Sequence, residues 1–267
     1  MKEDNFFLGQ IEDKIAQCEN KYIVTCTGFL DSHQQSLARL YCRKNHVAVF
    51  DRKEEQAAAA EGKLPSCRAC FYGGYDDAER VVLINLPDYA FVEDEEPLTV
   101  IRASAPAGGR PLTHRDYLGS LVGLGIKREL LGDILVRPDG ADIIVLADIA
   151  DFILMNYCKA GRTGLSLERL PVSELIVPEI DRKIVTDTVA SLRLDNIVAS
   201  AFGLSRGRAA EAIKGGIVFV NHVEVIKADA AVSEGDQITL RGKGKARLAE
   251  IGGRSRKDRI YVQIERY

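Results

Sequence analysis

Two short apolar segments separated by a single glycine constrain the C-terminal part of this 267-residue chain more than any other feature. In "RLDNIVASAFGLSRGRAAEAIKGG" the apolar residues recur every three or four positions, which is typical of the buried face of a helix. Gly203 ends the first segment, Ser205 is a suitable cap for the second, and Gly215-Gly216 end it. The sequence therefore predicts two consecutive helices whose inward-facing residues are Leu194, Ile197, Val198, Ala201, Ala209, Ala210 and Ile213.

Short strand patterns follow these two helices. They are "IVFV", "VEVI" and "QITLR", separated by a turn at Asn221-His222 and by the turn "SEGD". Branched and aromatic residues between such turn residues indicate antiparallel strands. The pattern predicts a unit of two helices and a small sheet, about 60 residues long.

The charges of the chain are distributed unevenly. The formal net charge is −3, but the segment from Ser191 to Arg259 has 13 Lys or Arg against 8 Asp or Glu. That segment carries +5 and the remainder −8. A basic module on an acidic body indicates that the module meets a polyanion, although a merely solvated basic face is the alternative on charge alone.

Arg206 and Arg208 lie in the first turn of the second predicted helix. The helix dipole destabilises each cation there by about 0.3 kcal/mol or more. A docked phosphate would reverse this, because the N–H groups of the turn and two guanidinium groups would then converge on one anion. The placement favours a phosphate ligand.

The segment "RGKGKAR" after the last of these strands alternates cations with small residues. If it is extended, Arg241, Lys243, Lys245 and Arg247 lie on one side. No aromatic residue interleaves them, which favours recognition of the backbone or shape of folded RNA over stacking on single-stranded bases.

Taken together, "RLDNIVASAFGLSRGRAAEAIKGGIVFVN", the later "GDQITL" and "RGKGKAR" resemble the RNA-binding module named after the small-subunit ribosomal protein S-four, also called the αL motif. The hairpin of that module often reads Asn-Gly, where this chain has Asn221-His222. The resemblance implies RNA contacts by Arg193, Ser205, Arg206, Arg208 and Lys214, followed by Lys227, Lys243 and Arg247.

The preceding residues divide into a helical region and a mixed one. Ile11, Ile15, Cys18 and Tyr22 form one apolar helical stripe, and Leu37, Leu40 and Tyr41 repeat it after a cap at Asp31-Ser32. "EEQAAAAEG" predicts a further helix that ends near Gly62. From Leu98 onward the predicted order is β-α-β-β-α-β, which is typical of a ferredoxin-like or RNA-recognition-motif-like (RRM-like) plait.

These patterns predict an α+β fold in four parts. A helical N-terminal region spans residues 1–78, the RRM-like plait 79–172, an extended linker 173–190, and the S-four-like domain with a C-terminal strand 191–267. No run of apolar residues is long enough to cross a membrane, and six scattered cysteines suit a reducing compartment, so we expect a cytoplasmic protein.

Outside the basic module, "FYGGYDDAERVVL", "PLTHRDYLGSLVGLGIKRELLGDILV" and "KAGRTGLSLE" resemble the YlmH-type proteins. That family implies a role in bacterial ribosome-associated quality control, on a large subunit carrying peptidyl-tRNA, where untemplated alanine tailing of stalled chains proceeds. It has also been associated with cell division. The expectation is a non-enzymatic protein that binds ribosomal RNA and tRNA, needs no cofactor, and is a monomer off the ribosome.

Three other motifs allow a chemical and a structural interpretation. "HRD" at His114 to Asp116 is similar to a kinase catalytic loop and to the aspartate motif of pseudouridine synthases, but a Thr113-Asp116 helix cap is the favoured reading. An RNA-modifying enzyme or a cell-division interaction protein is the alternative function. Cys67 and Cys70 form a single pair without a second one, so ordinary half-buried thiols are favoured and no metal site is predicted. A zinc site that adds His33, Cys42 and His46 is the alternative. Secondary RNA contacts are assigned to Arg80, His114, Arg115, Lys127 and Arg128.

Overall fold

The computed structural model describes residues 2–50, 52–76, 78–92, 96–106, 108–178 and 182–267, without the side chains of residues 2, 52 and 53. The chain divides into two compact units, Met1–Pro178 and Glu179–Tyr267. Both units combine helices with antiparallel sheets, which confirms the predicted α+β class.

The first unit begins with three helices, α1 (Lys2–Lys21), α2 (Ser32–Lys44) and α3 (Arg52–Ala60). On α1 the predicted stripe is buried at Ile11, Ile15 and Cys18, but Tyr22 lies beyond the helix and is exposed. Asp31 caps α2 as predicted, and α3 is followed by Gly62 at φ 66°.

The buried face of α2 differs from the prediction. Leu40 is exposed, while Gln35, Ser36, Ala38 and Cys42 are buried. Ala38 and Cys42 share a core with Ile11 and Ile15 of α1, and Gln35 donates to the carbonyls of Leu30 and Glu79. Small side chains bring the two helices close together, and apolar periodicity overlooks such a face because its residues are weakly apolar.

A three-stranded antiparallel sheet follows the first helices, in the order β1-β3-β2. Its strands are β1 (Thr25–Cys26), β2 (Cys67–Tyr72) and β3 (Val82–Pro87). The sequence predicted helices alone for the first 78 residues and assigned "RVVLINL" to the middle region. The prediction is wrong in both respects. The first 78 residues contain β1 and β2, and the "RVVLINL" strand β3 pairs with these two strands and not with the plait.

The predicted β-α-β-β-α-β order is confirmed. Its elements are β4 (Leu98–Ser104), α4 (His114–Gly123), β5 (Leu131–Arg137), β6 (Gly140–Leu146), α5 (Ala150–Asn156) and β9 (Ser166–Leu170). The sheet order is β5-β6-β4-β9, and all neighbours are antiparallel. A short hairpin, β7 (Lys159–Ala160) and β8 (Thr163–Gly164), precedes the last strand, and 3-10 turns occur at Arg128–Leu130, Ala147–Ile149 and Val172–Glu174.

Both faces of the plait sheet are buried. Ile101 and Ile143 pack with α4 and α5 on one side. On the other, Val100 and Ile144 pack against Ile84 of β3 and its neighbours in the N-terminal sheet. The sheet face on which RRM proteins stack bases is therefore covered in this chain.

The "FYGGYDDAER" motif connects the N-terminal sheet to the plait. A Cβ at Gly73 would lie 2.3 Å from that of Ala78, so the turn requires glycine. Asp133 of β5 accepts hydrogen bonds from the Tyr75 hydroxyl and from the N–H groups of Glu79 and Arg80. Asp77 lies outside the described residues.

The second unit contains two helices, α6 (Leu194–Phe202) and α7 (Arg206–Lys214), and a six-stranded antiparallel sheet. The sheet order is β10-β15-β14-β13-β11-β12, with β10 (Lys183–Val189), β11 (Val218–Val220), β12 (Val223–Glu224), β13 (Gln237–Leu240), β14 (Gly244–Arg254) and β15 (Ile260–Arg266). The predicted stripe of α6 lies in its core, as do Ala209 and Ile213 of α7, whereas Ala210 is only partly buried and lies outside that core.

Strand β10 changes the interpretation of the predicted linker 173–190. It is extended, but its residues pair along the whole of β15, from Lys183 opposite Arg266 to Val189 opposite Ile260. The sequence missed this strand because its partner, Ile260–Arg266, lies far along the chain. Without that partner, the segment cannot be distinguished from an unpaired extended linker. Residues 179–181 of the predicted linker lie outside the described residues.

No helix in the described part of the chain is both long and apolar enough to span a bilayer.

A buried ion pair connects α3 to the N-terminal sheet. The Arg68 guanidinium is fully buried and donates to Glu55 at 2.6 and 2.9 Å, and also to the carbonyls of Pro87 and Ala90. We expect Glu55→Ala to lower the free energy of unfolding by about 3–5 kcal/mol, because it leaves a buried cation without its carboxylate. Urea denaturation measures the loss.

The matched control is Lys44→Ala, an exposed position in the last turn of α2, which should change stability by less than about 0.5 kcal/mol. An equal effect of the two substitutions would contradict a special role of the pair.

Candidate nucleic-acid interface

The corner between α6 and α7 presents the first group of predicted RNA-binding residues. Gly203 ends α6 in the left-handed conformation at φ 62°, which a residue with a side chain adopts at a cost. Ser205 then caps α7, and its hydroxyl accepts a hydrogen bond from the Arg208 N–H at 3.3 Å. The predicted cap is confirmed, and it places Arg206 and Arg208 in the exposed first turn.

Asp195 organises this corner. Its carboxylate is buried and accepts two hydrogen bonds from Arg193, both at 3.1 Å, and one from Arg206 Nε at 3.0 Å. Burial raises the pKa of Asp195, but the hydrogen bonds from both arginines outweigh that effect, and the pKa is lowered overall. One ionised carboxylate therefore holds two guanidinium groups that stay about half exposed, 41% for Arg193 and 58% for Arg206.

Two sequence interpretations change here. An aspartate at the start of a helix, as in "SLRLD", is typical of a helix cap, but Arg193 occupies the cap position of α6 and Asp195 lies inside the first turn. We also attributed the cations at the start of α7 to a ligand alone. For Arg206, Asp195 supplies a compensating negative charge within the protein. Among the described residues, no acidic side chain does so for Arg208.

The hairpin after β13 carries the second group of cations. Arg241, Gly242 and Lys243 form a turn, and β14 begins only at Gly244, which has φ 105°. The expectation of four cations along one extended run is wrong for Arg241 and Lys243. Lys245 and Arg247 do share one face of β14, because Ala246 and Leu248 are buried on the other.

Contacts within the protein orient the turn cations. The Arg241 N–H donates to the Ile217 carbonyl, and its guanidinium lies over the Phe219 ring, 5.5 Å from the centroid. Arg266 contacts the Lys243 carbonyl. The Asn221-His222 turn survives its departure from Asn-Gly, with φ of 49° and 65°. Lys214 ends α7 and Lys227 follows β12, and both are exposed.

Two family models match the chain on these elements. The "S4 domain" model matches residues 192–238, which contain the α6–α7 corner. The model described as "Putative RNA-binding domain in YlmH" matches residues 97–174, the plait. The Bacillus subtilis (strain 168) protein named "Ribosome-associated protein quality control protein P2" is 32% identical over 266 residues, covering 99% of this chain and 96% of that protein.

The chain belongs to the YlmH family. A solved structure described as "Cell division protein ylmH from Streptococcus pneumoniae" is 27% identical, with a TM-score of 0.48, over 65% of this chain and 94% of that one. Both the resemblance seen in the motifs and the S-four-like domain at the C-terminus are confirmed.

The predicted secondary contacts of this YlmH-family chain lie in different environments. Arg80 donates to the carbonyls of Phe29, Arg128 and Leu131, so its guanidinium serves the junction between the N-terminal sheet and the plait. Burial lowers the pKa of Arg80. His114 and Arg115 are exposed at the start of α4, and Lys127 is exposed beside Glu129. Arg80 is therefore not included in the proposed interface.

The aspartate of the "HRD" motif is a capping group. Asp116 accepts hydrogen bonds from the N–H and hydroxyl of Thr113, both at 2.8 Å, and from Arg110. These contacts lower the pKa of Asp116, with the Thr113 N–H as the largest cause. The predicted Thr113-Asp116 cap is confirmed.

The cysteine pair also has structural surroundings. The Cys67 sulfur lies 3.0 Å from that of Cys18, and Cys70 is buried on β2. Burial raises the pKa of both Cys18 and Cys67. Within the described ranges, no three His, Cys, Asp or Glu side chains are grouped so that they could hold a metal ion.

The role of Asp195 is the functional feature that sequence reasoning missed. The acidic residue that follows Arg193 in "SLRLD" was the available signal, but its two partners are 2 and 11 positions away. We expect Asp195→Asn to weaken RNA binding by about tenfold, or about 1.4 kcal/mol, because the amide no longer holds both guanidinium groups. Fluorescence anisotropy with ribosomal RNA measures the affinity.

Charge alone predicts the opposite, since the substitution removes a negative charge from a cationic surface. Glu211→Gln, an exposed position on α7 with the same charge change, is the control and should leave binding equal or slightly tighter. If Asp195→Asn behaves like the control while both remain folded, the positioning role is refuted.

Proposed function

We propose that this protein is a non-enzymatic RNA-binding factor of the translation apparatus. Its cations neutralise RNA phosphates and so stabilise one conformation of the particle. The observation that carries the proposal is the cluster at the α6–α7 corner, where a buried Asp195 holds Arg193 and Arg206 half exposed beside Arg208. Guanidinium groups fixed in this way at a helix N-terminus suit the phosphates of a structured RNA.

The chemistry of this surface favours the RNA backbone over the bases. Its groups are cations and one hydroxyl, and the nearby Phe219 ring is buried beneath Arg241. Such contacts respond to the fold of the RNA and weaken as salt rises. The ligand that fits best is therefore a folded ribosomal RNA or tRNA.

The biological setting of the proposal comes from the family. The Bacillus subtilis relative is named a ribosome-associated protein quality control protein. We extend that setting to this chain, with binding to a large subunit that carries peptidyl-tRNA during alanine tailing of stalled chains. The protein would act in the cytoplasm, as a monomer before it joins the ribosome.

An enzymatic role has little support from the plait. Asp116, the candidate catalytic aspartate, is occupied by its cap and by Arg110. If tritium were released from uridine-labelled ribosomal RNA by the wild type and not by Asp116→Asn, the non-enzymatic proposal would be wrong.

A gradient experiment tests the ribosome proposal. We expect tagged wild type to sediment with large subunits that carry peptidyl-tRNA in a lysate of stalled translation products, and Arg206→Glu/Arg208→Glu to remain at the top. The double variant reverses two phosphate contacts, so the slope of log affinity against log salt should fall by about 2.

The matched control is Arg256→Glu/Lys257→Glu, with the same charge change at exposed positions of the same unit. Wild type that remains at the top at low salt would refute ribosome binding. Loss of sedimentation by the control as well would show a dependence on net charge and not on the corner.

A further inference from the structure

A groove of about 530 Å³ lies beside α4 on the helix side of the plait. One wall is α4, with Arg115, Gly119 and Gly123. The other runs from the end of α5 into β7, with Tyr157, Cys158 and Lys159. It belongs to the first unit and shares no residue with the α6–α7 corner.

The shape of the groove follows from two helical glycines. Gly119 and Gly123 are one turn apart, and a Cβ at either position would meet no atom within 4 Å. Tyr157 closes the bottom, where it is buried and its hydroxyl lies 3.0 Å from the Ser120 hydroxyl. The opening is therefore fixed by packing and has a largely apolar floor.

The rim of the groove is cationic. Arg115 and Lys159 line it and are both exposed. The lining acid is Asp116, whose carboxylate is already occupied by Thr113 and Arg110. An apolar floor beneath two cations suits a ligand that joins a flat ring to an anionic group.

The alternative RNA surface of the plait is closed. Val100 and Ile144 on the second sheet face are fully buried against the N-terminal sheet. The family model nevertheless describes residues 97–174 as an RNA-binding domain. The helix side is the other broad surface of the plait, and it carries the groove.

We infer that this groove binds one unpaired nucleotide of an RNA strand, with the base on the floor between α4 and Tyr157 and the phosphate between Arg115 and Lys159. A pocket of this volume lies in the usual range for small organic ligands, about 300–1,000 Å³. The inference rests on the proposed function, because that function identifies the partner as RNA rather than an acidic peptide.

Cys158 provides a built-in reporter of occupancy. It is the one exposed thiol among the six cysteines, and it lines the groove. Burial raises the pKa of Cys26 to about 12 and that of Cys42 to about 11, so these thiols react slowly with alkylating reagents. Iodoacetamide labelling followed by peptide mass spectrometry then reports on Cys158 in the full chain.

We expect a short oligouridylate to slow the alkylation of Cys158. At a concentration of about ten times its dissociation constant the rate should fall about tenfold, since only the free fraction of protein reacts. Anisotropy of the labelled probe gives the dissociation constant in the same solution.

Two groove variants test the assignment. Gly119→Leu fills the groove and should raise helix propensity, so the fold is retained. Arg115→Glu/Lys159→Glu reverses the rim charge. Both should lose the protection by the probe relative to their own unprotected rates. Arg43→Glu/Lys44→Glu, exposed at the end of α2 and outside the groove, should keep it.

The outcomes separate this inference from the proposed function. The groove assignment would be wrong if Cys158 stayed reactive while the full chain bound the probe. It would also be wrong if the probe still protected Cys158 in Gly119→Leu. Neither result would contradict ribosome binding. Protection by polyglutamate and not by the oligouridylate would overturn the RNA assignment. In Arg206→Glu/Arg208→Glu, the oligouridylate should still protect Cys158 once its concentration is high enough to saturate the groove. That result would support a groove site independent of the α6–α7 corner.

Discussion

A sheet with apolar residues on both faces has to be covered on both, and this constraint shapes the first unit. The plait supplies α4 and α5 for one face only. The N-terminal sheet covers the other, with Ile84 packed among residues such as Val100 and Ile144. Burial of side chains of this size stabilises by roughly 1.5–3 kcal/mol each, so the N-terminal region is part of the plait's core.

Covering the second face also limits how the protein can use RNA. Base stacking on an open sheet is unavailable, and the helix side of the plait carries a groove with exposed cations. The C-terminal unit presents cations instead of a stacking surface. There a buried carboxylate fixes two guanidinium groups, and Ser205 aligns the turn that presents a third. Both surfaces suit recognition of phosphates in a defined arrangement.

The sequence predicted local features well because their causes are local. The Thr113-Asp116 cap, the ends of α6 and α7 and the Asn221-His222 turn all depend on residues within a few positions of each other. The plait order was also legible, since its strands and helices alternate with clear turns. Resemblance of motifs then identified the family, which residue chemistry alone could not have done.

The remaining errors share a cause in distant partners. Strand β10 looked like a linker because its partner β15 ends the chain, and the N-terminal sheet joins strands that lie on either side of α2 and α3. Asp195 looked like a cap because its second arginine belongs to the next helix. By itself the sequence determined most of the helices, the element order of the plait, the basic module and the family. Only the tertiary structure decided which faces are covered and which cations are held, because burial and ion pairing depend on residues that the fold brings together from distant positions.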